Sequence, residues 1–426
     1  MQKNGSRKYK SARRSPAPEN IPASRAAVPH SPSGIEKTGI ARKIRRKRVI
    51  GKTPESGADI QIKSGVDRPF LLLVIILLCI GTTMVFSASY VYAKQYFDGD
   101  SYYFAKRQII WAVISLIVLF LTSVIPYTFY ERFAPWLSAA AVGALALVPI
   151  IGYSVKGAKR WINLGFASLQ PSEFVKIAAV IFIAWYAVTY PKNIKKFWKG
   201  IVFILALLGV VCVLLYKQPH LSAMVIITLI TFIMLYLGGA KKLYIILMGI
   251  FGSAGLLALM LFTEHGKKRI TVWLHPENFV QTEGWQPLQS LYAIGSGGLW
   301  GVGLGQSRQK HLYLPEPQND YIFSILCEEM GFVFAAAVLL LFFLLIWRGY
   351  YIARYAPRRF AAMLAAGLTT AIAVQVLLNI AVVTNAVPAT GVSLPFFSYG
   401  GTSLTIFMSE MGVVLNISRY SYINRN

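Results

Sequence analysis

The sequence predicts an all-α, polytopic integral membrane protein of about ten transmembrane helices, with a large loop between the seventh and the eighth. Three observations carry this. The chain of 426 residues is 55% hydrophobic and 14% charged, with a mean hydropathy of +0.53, too apolar for a soluble domain of this length. Apolar runs fall at 69–92, 108–126, 134–152, 171–190, 200–216, 221–238, 243–262, 321–347, 360–384 and 403–418, most of them near the length a bilayer requires. The basic residues also sort between the loops. Loops 127–133, 191–200, 239–242, 348–359 and 419–426 are about one-third Lys and Arg, against about one-eighth in 93–107, 153–170, 217–220 and 385–402. Both termini are therefore expected in the cytoplasm and the long 263–320 loop outside it.

Taken in order, residues 1–68 are rich in Lys, Arg, Ser, Pro and Gly and lack an apolar core segment, as a disordered cytoplasmic tail without a cleavable signal would. The net charge of +26 invites a nucleic-acid reading, yet about two-fifths of the 43 Lys and Arg lie in this tail and most others in loops. A basic run just ahead of a first span instead suits anionic headgroups, so no nucleic-acid partner is expected. The membrane domain covers 69–418. Only Lys217-Gln218-Pro219-His220 separates its fifth and sixth runs, and 419–426 is a short cytoplasmic end. Cys79, Cys212 and Cys327 lie in apolar segments without CxxC spacing, and the five histidines form no HExxH pair, so neither a disulfide framework nor a metal site is implied. No fixed-period repeat or pair of inverted halves is evident.

The stretch Lys310–Gly331 joins the polar loop to the eighth run. Pro315 and Pro317 stiffen it, and Asn319 and Asp320 stand where a helix N-cap belongs, so Asp320 reads either as a cap or as a carboxylate placed at a membrane surface. Glu173 and Lys176, at the opening of the fourth run, are i, i+3 neighbours, either a structural pair or a functional one as intramembrane charges often are. Arg160 and Trp161 fit an interfacial anchor. Glu328 and Glu329 need a polar surrounding inside the eighth run, by lining a cavity with Lys176 or by satisfying backbone groups. Six glycines in Gly295–Gly305 allow a tight re-entrant turn or close approach to a ligand. The last outer loop, Asn385–Ser403, holds no acid or base and reads as a wall.

The motifs RWINLG, QPSEFVK, QSLYAIGSGG, GLGQS, YLPEPQNDYIFS, CEEMGF and GVSLPFFSYGGTS occur in this order over roughly 69–418. As a set the chain resembles the SEDS family (shape, elongation, division and sporulation), closer to its FtsW and SpoVE branch than to RodA. The resemblance implies ten helices and a peptidoglycan glycosyltransferase that polymerises lipid II during cell division or sporulation, releasing undecaprenyl pyrophosphate. It places the catalytic aspartate on Asp320 and implicates Arg160, Glu173 and Lys176 in the cavity. Gln289, Ser290, Glu316 and Ser398, in the matching stretches, and Lys310, as positive charge for the departing oxygens, complete the candidate substrate-binding set. A flippase for the same lipid and a non-catalytic scaffold are the alternatives. Implied partners are lipid II, a class B penicillin-binding transpeptidase and other division or elongation proteins. No cofactor is implied, although a divalent cation could help neutralise the diphosphate. The chain departs from the family where Pro219-His220 stands for the usual Pro-Asp, so a role for that acid does not carry over.

Overall fold

The computed structural model describes residues 65–421 apart from 156–157, 164 and 166–167. Most of the basic tail thus lies outside the described residues. Ten helices overlie the ten apolar runs: α1 (Arg68–Tyr96), α2 (Tyr103–Val124), α3 (Tyr127–Ile151), α4 (Pro171–Thr189), α5 (Phe203–Tyr216, entered through a π-helical turn), α6 (Leu221–Leu237), α7 (Lys242–Phe262), α10 (Ile322–Arg354), α11 (Arg359–Val383) and α12 (Gly401–Tyr420). Seven of the described helices are long and apolar enough to cross a membrane: α1 to α5, α10 and α11. Of the remaining three, α6 and the apolar part of α7 are shorter, and α12 carries Glu410, Asn416 and Arg419.

Between these runs the chain is more ordered than its polarity suggests. The 263–320 loop contains α8 (Glu264–Leu274), a 3-10 turn and α9 (Trp285–Ser296). Thr263 starts α8 by accepting from Gly266 N at 3.1 Å, the usual satisfaction of a helix's first amides. The connection before α4 forms a small antiparallel sheet of β1 (Tyr153–Val155), β2 (Ala158–Asn163) and β3 (Ser168–Leu169), so the fold is all-α only in its membrane part.

The core is organised around α11, which is buried along most of its length, while α12 packs along α2. A Cβ at Gly412 would collide with Leu119 O, so glycine sets that close approach, as small residues do between membrane helices. On the face where the chain enters α1, Asp67 caps the helix by accepting from Phe70 N at 3.0 Å. Arg348 of α10 binds the same carboxylate through Nε and Nη2, and Ser418 of α12 accepts from Asp67 N. One buried residue, through its carboxylate and its backbone N–H, therefore ties α1 to α10 and α12.

The helix expected to run unbroken over 321–347 is interrupted at Gly331, whose backbone is at φ 75, ψ 178. Opening a helix frees carbonyls on one side of the break and amides on the other. Here Val302 N and Gly303 N donate to Glu328 O and Glu329 O, while Phe332 N and Val333 N donate to Gly298 O and Leu299 O. A Cβ at Gly331 would collide with Gly301 N, and one at Gly301 with Glu329 O. The glycine run thus makes the tight turn of the two readings: it pairs the backbone groups freed at the buried Gly331, while Leu299, Trp300 and Leu304 on the run itself stay exposed.

The side chains around this junction are paired with each other. Glu328 accepts from Ser307 Oγ and Arg308 N. Lys310 Nζ lies 2.6 Å from Glu329 Oε1, both side chains fully buried, and Ser87 Oγ also donates to Glu329. Of the two readings of Glu328 and Glu329, the structure bears out satisfaction of buried loop groups. They do not share a cavity with Lys176.

Candidate active site

α4 begins at Pro171, whose ring suits a first helical position, and this sets Glu173 and Lys176 on one face. Lys176 Nζ is 2.8 Å from Glu173 Oε2, with both side chains almost wholly buried. The same ammonium donates to Gln375 Oε1 of α11 at 2.7 Å and stands 5.2 Å from the Phe407 ring centroid of α12. Three helices thus meet at one charge.

The N-cap position of α10 falls on Tyr321, one residue beyond Asp320, and α11 holds the backbone at 320: Asn379 Nδ2 donates to Asp320 O at 2.8 Å and to Val392 O. The Asp320 side chain borders a cavity of about 1170 Å³. The last loop closes against it. Ser398 Oγ accepts from Leu394 N and donates to Asn319 O, Tyr399 N donates to Gln318 O, and Gln375 Nε2 donates to Ser393 O. Gly391, at φ 67, presents backbone to the carboxylate; a Cβ there would stand 3.0 Å from Asp320 Oδ2.

The cavity brings together Arg160, Glu173, Lys176, Glu316, Asp320 and Ser398 from the predicted set. Arg160, on β2, donates through Nε to Gln218 O at 3.2 Å and through Nη2 to Pro219 O. Burial lowers its guanidinium from the ordinary value, repulsion from Arg269 adds to this, and Asp320 opposes it. Glu316 accepts from Asn319 Nδ2 at 3.0 Å. His220 also borders the cavity. It caps α6 by accepting from Ala223 N through Nδ1, and its Nε2 lies 2.7 Å from Gln170 Nε2. Burial and the Arg160 charge push it down to about 3, and it stands there as a neutral residue.

Three predicted members lie elsewhere. Lys310 is locked to Glu329 and has no exposed surface. Ser290 Oγ, on α9, bonds Ser324 Oγ and Val383 O, and Gln289 is buried beside it. These three hold the loop against α10 and α11 and do not border the cavity.

The cavity also contains groups that the sequence reading passed over. Arg107 of α2 borders it with its guanidinium 4.0 Å over the Tyr103 ring, and Gln375 orients Lys176. Behind the cavity, Glu410 of α12 is 2% exposed, and its Oε2 has no hydrogen-bond partner. Gln375 and Glu410 carried a usable signal, since each is a polar residue inside an apolar run. Arg107 did not, because a basic residue at the end of a run reads first as an anchor. Among the described residues no three His, Cys, Asp or Glu side chains are grouped as metal ligands. The site's resources are one carboxylate at the mouth of a kinked helix, two further acids, and the cations Arg107, Arg160 and Lys176.

The family described as cell cycle protein, comprising FtsW, RodA and SpoVE, matches residues 68–423. The stage V sporulation protein E of Bacillus subtilis is 43% identical over 361 residues, covering 84% of this chain and 98% of its own length. A probable peptidoglycan glycosyltransferase FtsW of Trichlorobacter lovleyi is 38% identical, covering 83% and 93%. Among solved structures, a chain of a peptidoglycan synthase complex in which polymerization and crosslinking are coordinated superposes with a TM-score of 0.71 at 25% identity, over 84% of this chain and 99% of that one. The rod shape determining protein RodA of Thermus thermophilus superposes with a TM-score of 0.61 at 25% identity, over 84% and 98%.

Proposed function

Because the chain belongs to the cell cycle protein family of FtsW, RodA and SpoVE, we propose from that premise that it is a peptidoglycan glycosyltransferase that polymerises lipid II. The observation that carries the reading is the meeting of Asp320 with Arg107, Arg160 and Lys176 in one cavity. A sugar diphosphate already carries a good leaving group. What the reaction needs is a base for the acceptor hydroxyl and fixed positive charge for the departing oxygens.

Asp320 takes the proton of the acceptor 4-hydroxyl as its oxygen attacks C1 of the donor. The C1–O bond to the diphosphate breaks, and the bonding electrons leave on the diphosphate oxygen toward Arg160 and Arg107. Lys176, half neutralised by Glu173, stands deeper and orients the donor. The outward-facing Ile110 and Ile114 of α2, which also border the cavity, give a lipid-linked substrate a lateral way in from the bilayer. The loop charges support an orientation with both termini in the cytoplasm and this cavity outside it, where wall precursor is polymerised. The association of a structural neighbour with a peptidoglycan synthase complex supports a partner of the class B penicillin-binding transpeptidase type.

The test is polymerisation of purified lipid II in vesicles, with and without such a partner, by parental protein and Asp320→Asn. The variant preserves shape and removes the proton-accepting charge. A general base contributes about 100- to 10,000-fold, so polymer is expected to vanish from a gel at parental membrane levels. Polymer at near the parental rate would remove Asp320 from the chemistry. Movement of labelled lipid II across vesicles without any polymerisation by the parental protein would favour a flippase.

A further inference from the structure

A second cavity, of about 450 Å³, lies within the large loop and is bordered by Lys268, Arg269, Trp273, Trp285, Gln286 and Pro315. Its walls are pinned rather than loose. Trp273 Nε1 donates to Asn385 O at 2.9 Å and Trp285 Nε1 to Tyr313 O at 2.5 Å. Arg269 Nη1 donates to Ala389 O, and Gln286 Nε2 to Pro315 O. Both indole N–H groups are therefore occupied by backbone, which fixes the rings and leaves their faces to border the space.

Only thin walls divide this cavity from the first. Pro315 borders the second and its neighbour Glu316 the first; Ala389 borders the second and Gly391 the first. Gly391 is the residue that lies against Asp320. The charge of Arg269 is felt at Arg160, so the two cavities also share a field.

Flat indole faces suit the apolar faces of pyranose rings, a side-chain amide suits an N-acetyl group, and two cations suit carboxylates. Lys268 is tied to Glu283 at the rim, both half exposed, so the net positive charge in the lining falls to Arg269. We propose that this second cavity is a saccharide subsite, taking an N-acetylated, peptide-bearing sugar unit of the strand close to the reacting bond. The inference rests on the glycosyltransferase reading. A strand held there stays engaged between additions, and its peptide carboxylates face Arg269.

The experiment uses the full chain in detergent and in vesicles, parental and Lys268→Glu/Gln286→Ala, both positions being at least partly accessible. A lipid-free tetrasaccharide with stem peptides is the probe for direct binding. At matched lipid II consumption, mean strand length is expected to fall at least threefold in the variant, and probe affinity about tenfold. Trp285→Phe, which keeps a flat ring but loses the bond to Tyr313 O, is expected to weaken the probe less than Trp285→Ala. Parental affinity and parental strand length in the double variant would overturn the subsite. So would an effect seen only when the transpeptidase is present, which would mark the surface as a protein contact. A parental protein that binds the probe but makes no polymer would sink the glycosyltransferase reading and leave the subsite standing. One that polymerises without binding the probe would do the reverse.

Discussion

Lys176 is the side chain whose removal separates structure from chemistry most clearly. It holds Glu173 and Gln375 in a buried place, and breaking a buried ion pair by deleting one partner costs about 3–5 kcal/mol. Lys176→Ala alone would therefore lower stability as well as activity. The double variant Lys176→Met/Glu173→Gln removes both charges together, and it is expected to reach parental membrane levels while losing most lipid II turnover. Level and turnover are measured in the same preparation; normal turnover would make the pair a packing feature. The sequence disclosed this pair because three residues on a helix is a fixed geometry. It did not disclose that Lys310 turns away from the cavity, because Lys310 reaches Glu329 through folding of a loop, and spacing along a chain carries no information on that. Gln289 and Ser290 were misplaced for the same reason: the motif marks them, but burial of their helix decides what they touch.

At the scale of elements, the break in α10 depends on two glycines that face each other. Gly331 adopts a left-handed φ and lies against Gly301 N. Gly331→Ala faces both strain, worth about 1–3 kcal/mol, and a collision with backbone that cannot rotate away. Thermal unfolding in detergent is expected to move down by several degrees, and polymerisation to fall because the displaced half-helix carries Asp320 at its start. Unchanged unfolding and unchanged polymer would mean that the crossing is not rigid. Apolar length located the helix, since hydropathy is additive along a chain. The break was not legible because an isolated glycine in an apolar run is common in membrane helices, and only the distant glycine run Gly295–Gly305 gives it meaning.

For the whole molecule the open quantity is orientation. Tyr313 in the large loop is 54% exposed, and Lys195 between α4 and α5 is also exposed. In a background with Cys79, Cys212 and Cys327 replaced, Tyr313→Cys is expected to react with a membrane-impermeant thiol reagent in whole cells. Lys195→Cys should react only after the membrane is opened. The opposite pattern would place the cavity on the cytoplasmic side and end the lipid II reading. The place and order of the ten helices that overlie apolar runs were legible at this scale from hydropathy, which depends on composition. The small sheet was not, since its strands are short, and α8 and α9 were passed over because their signal is an amphipathic pattern, with Thr263 as cap of α8, and not apolar length.

The kink at Gly331 also bears on how the enzyme meets membranes of unequal depth. Phe332–Arg354 would span roughly 34 Å at the α-helical rise, slightly more than a hydrocarbon core of about 30 Å, and such a helix adjusts to thinner or thicker lipid by tilting. The half-helix Ile322–Met330 is clamped by the glycine turn and by Lys310–Glu329, and the same turn holds Phe332 and Val333 at the start of the long segment. Tilt of the long segment is therefore expected to be taken up beyond Val333, with the carboxylate of Asp320 keeping its height relative to the cations. Turnover in vesicles of short and long acyl chains is accordingly expected to differ by less than about twofold; a steep dependence on chain length would mean that the base rides with the span. A joint held on both sides would act as a fixed collar, keeping the reacting atoms level while the bilayer around them changes thickness.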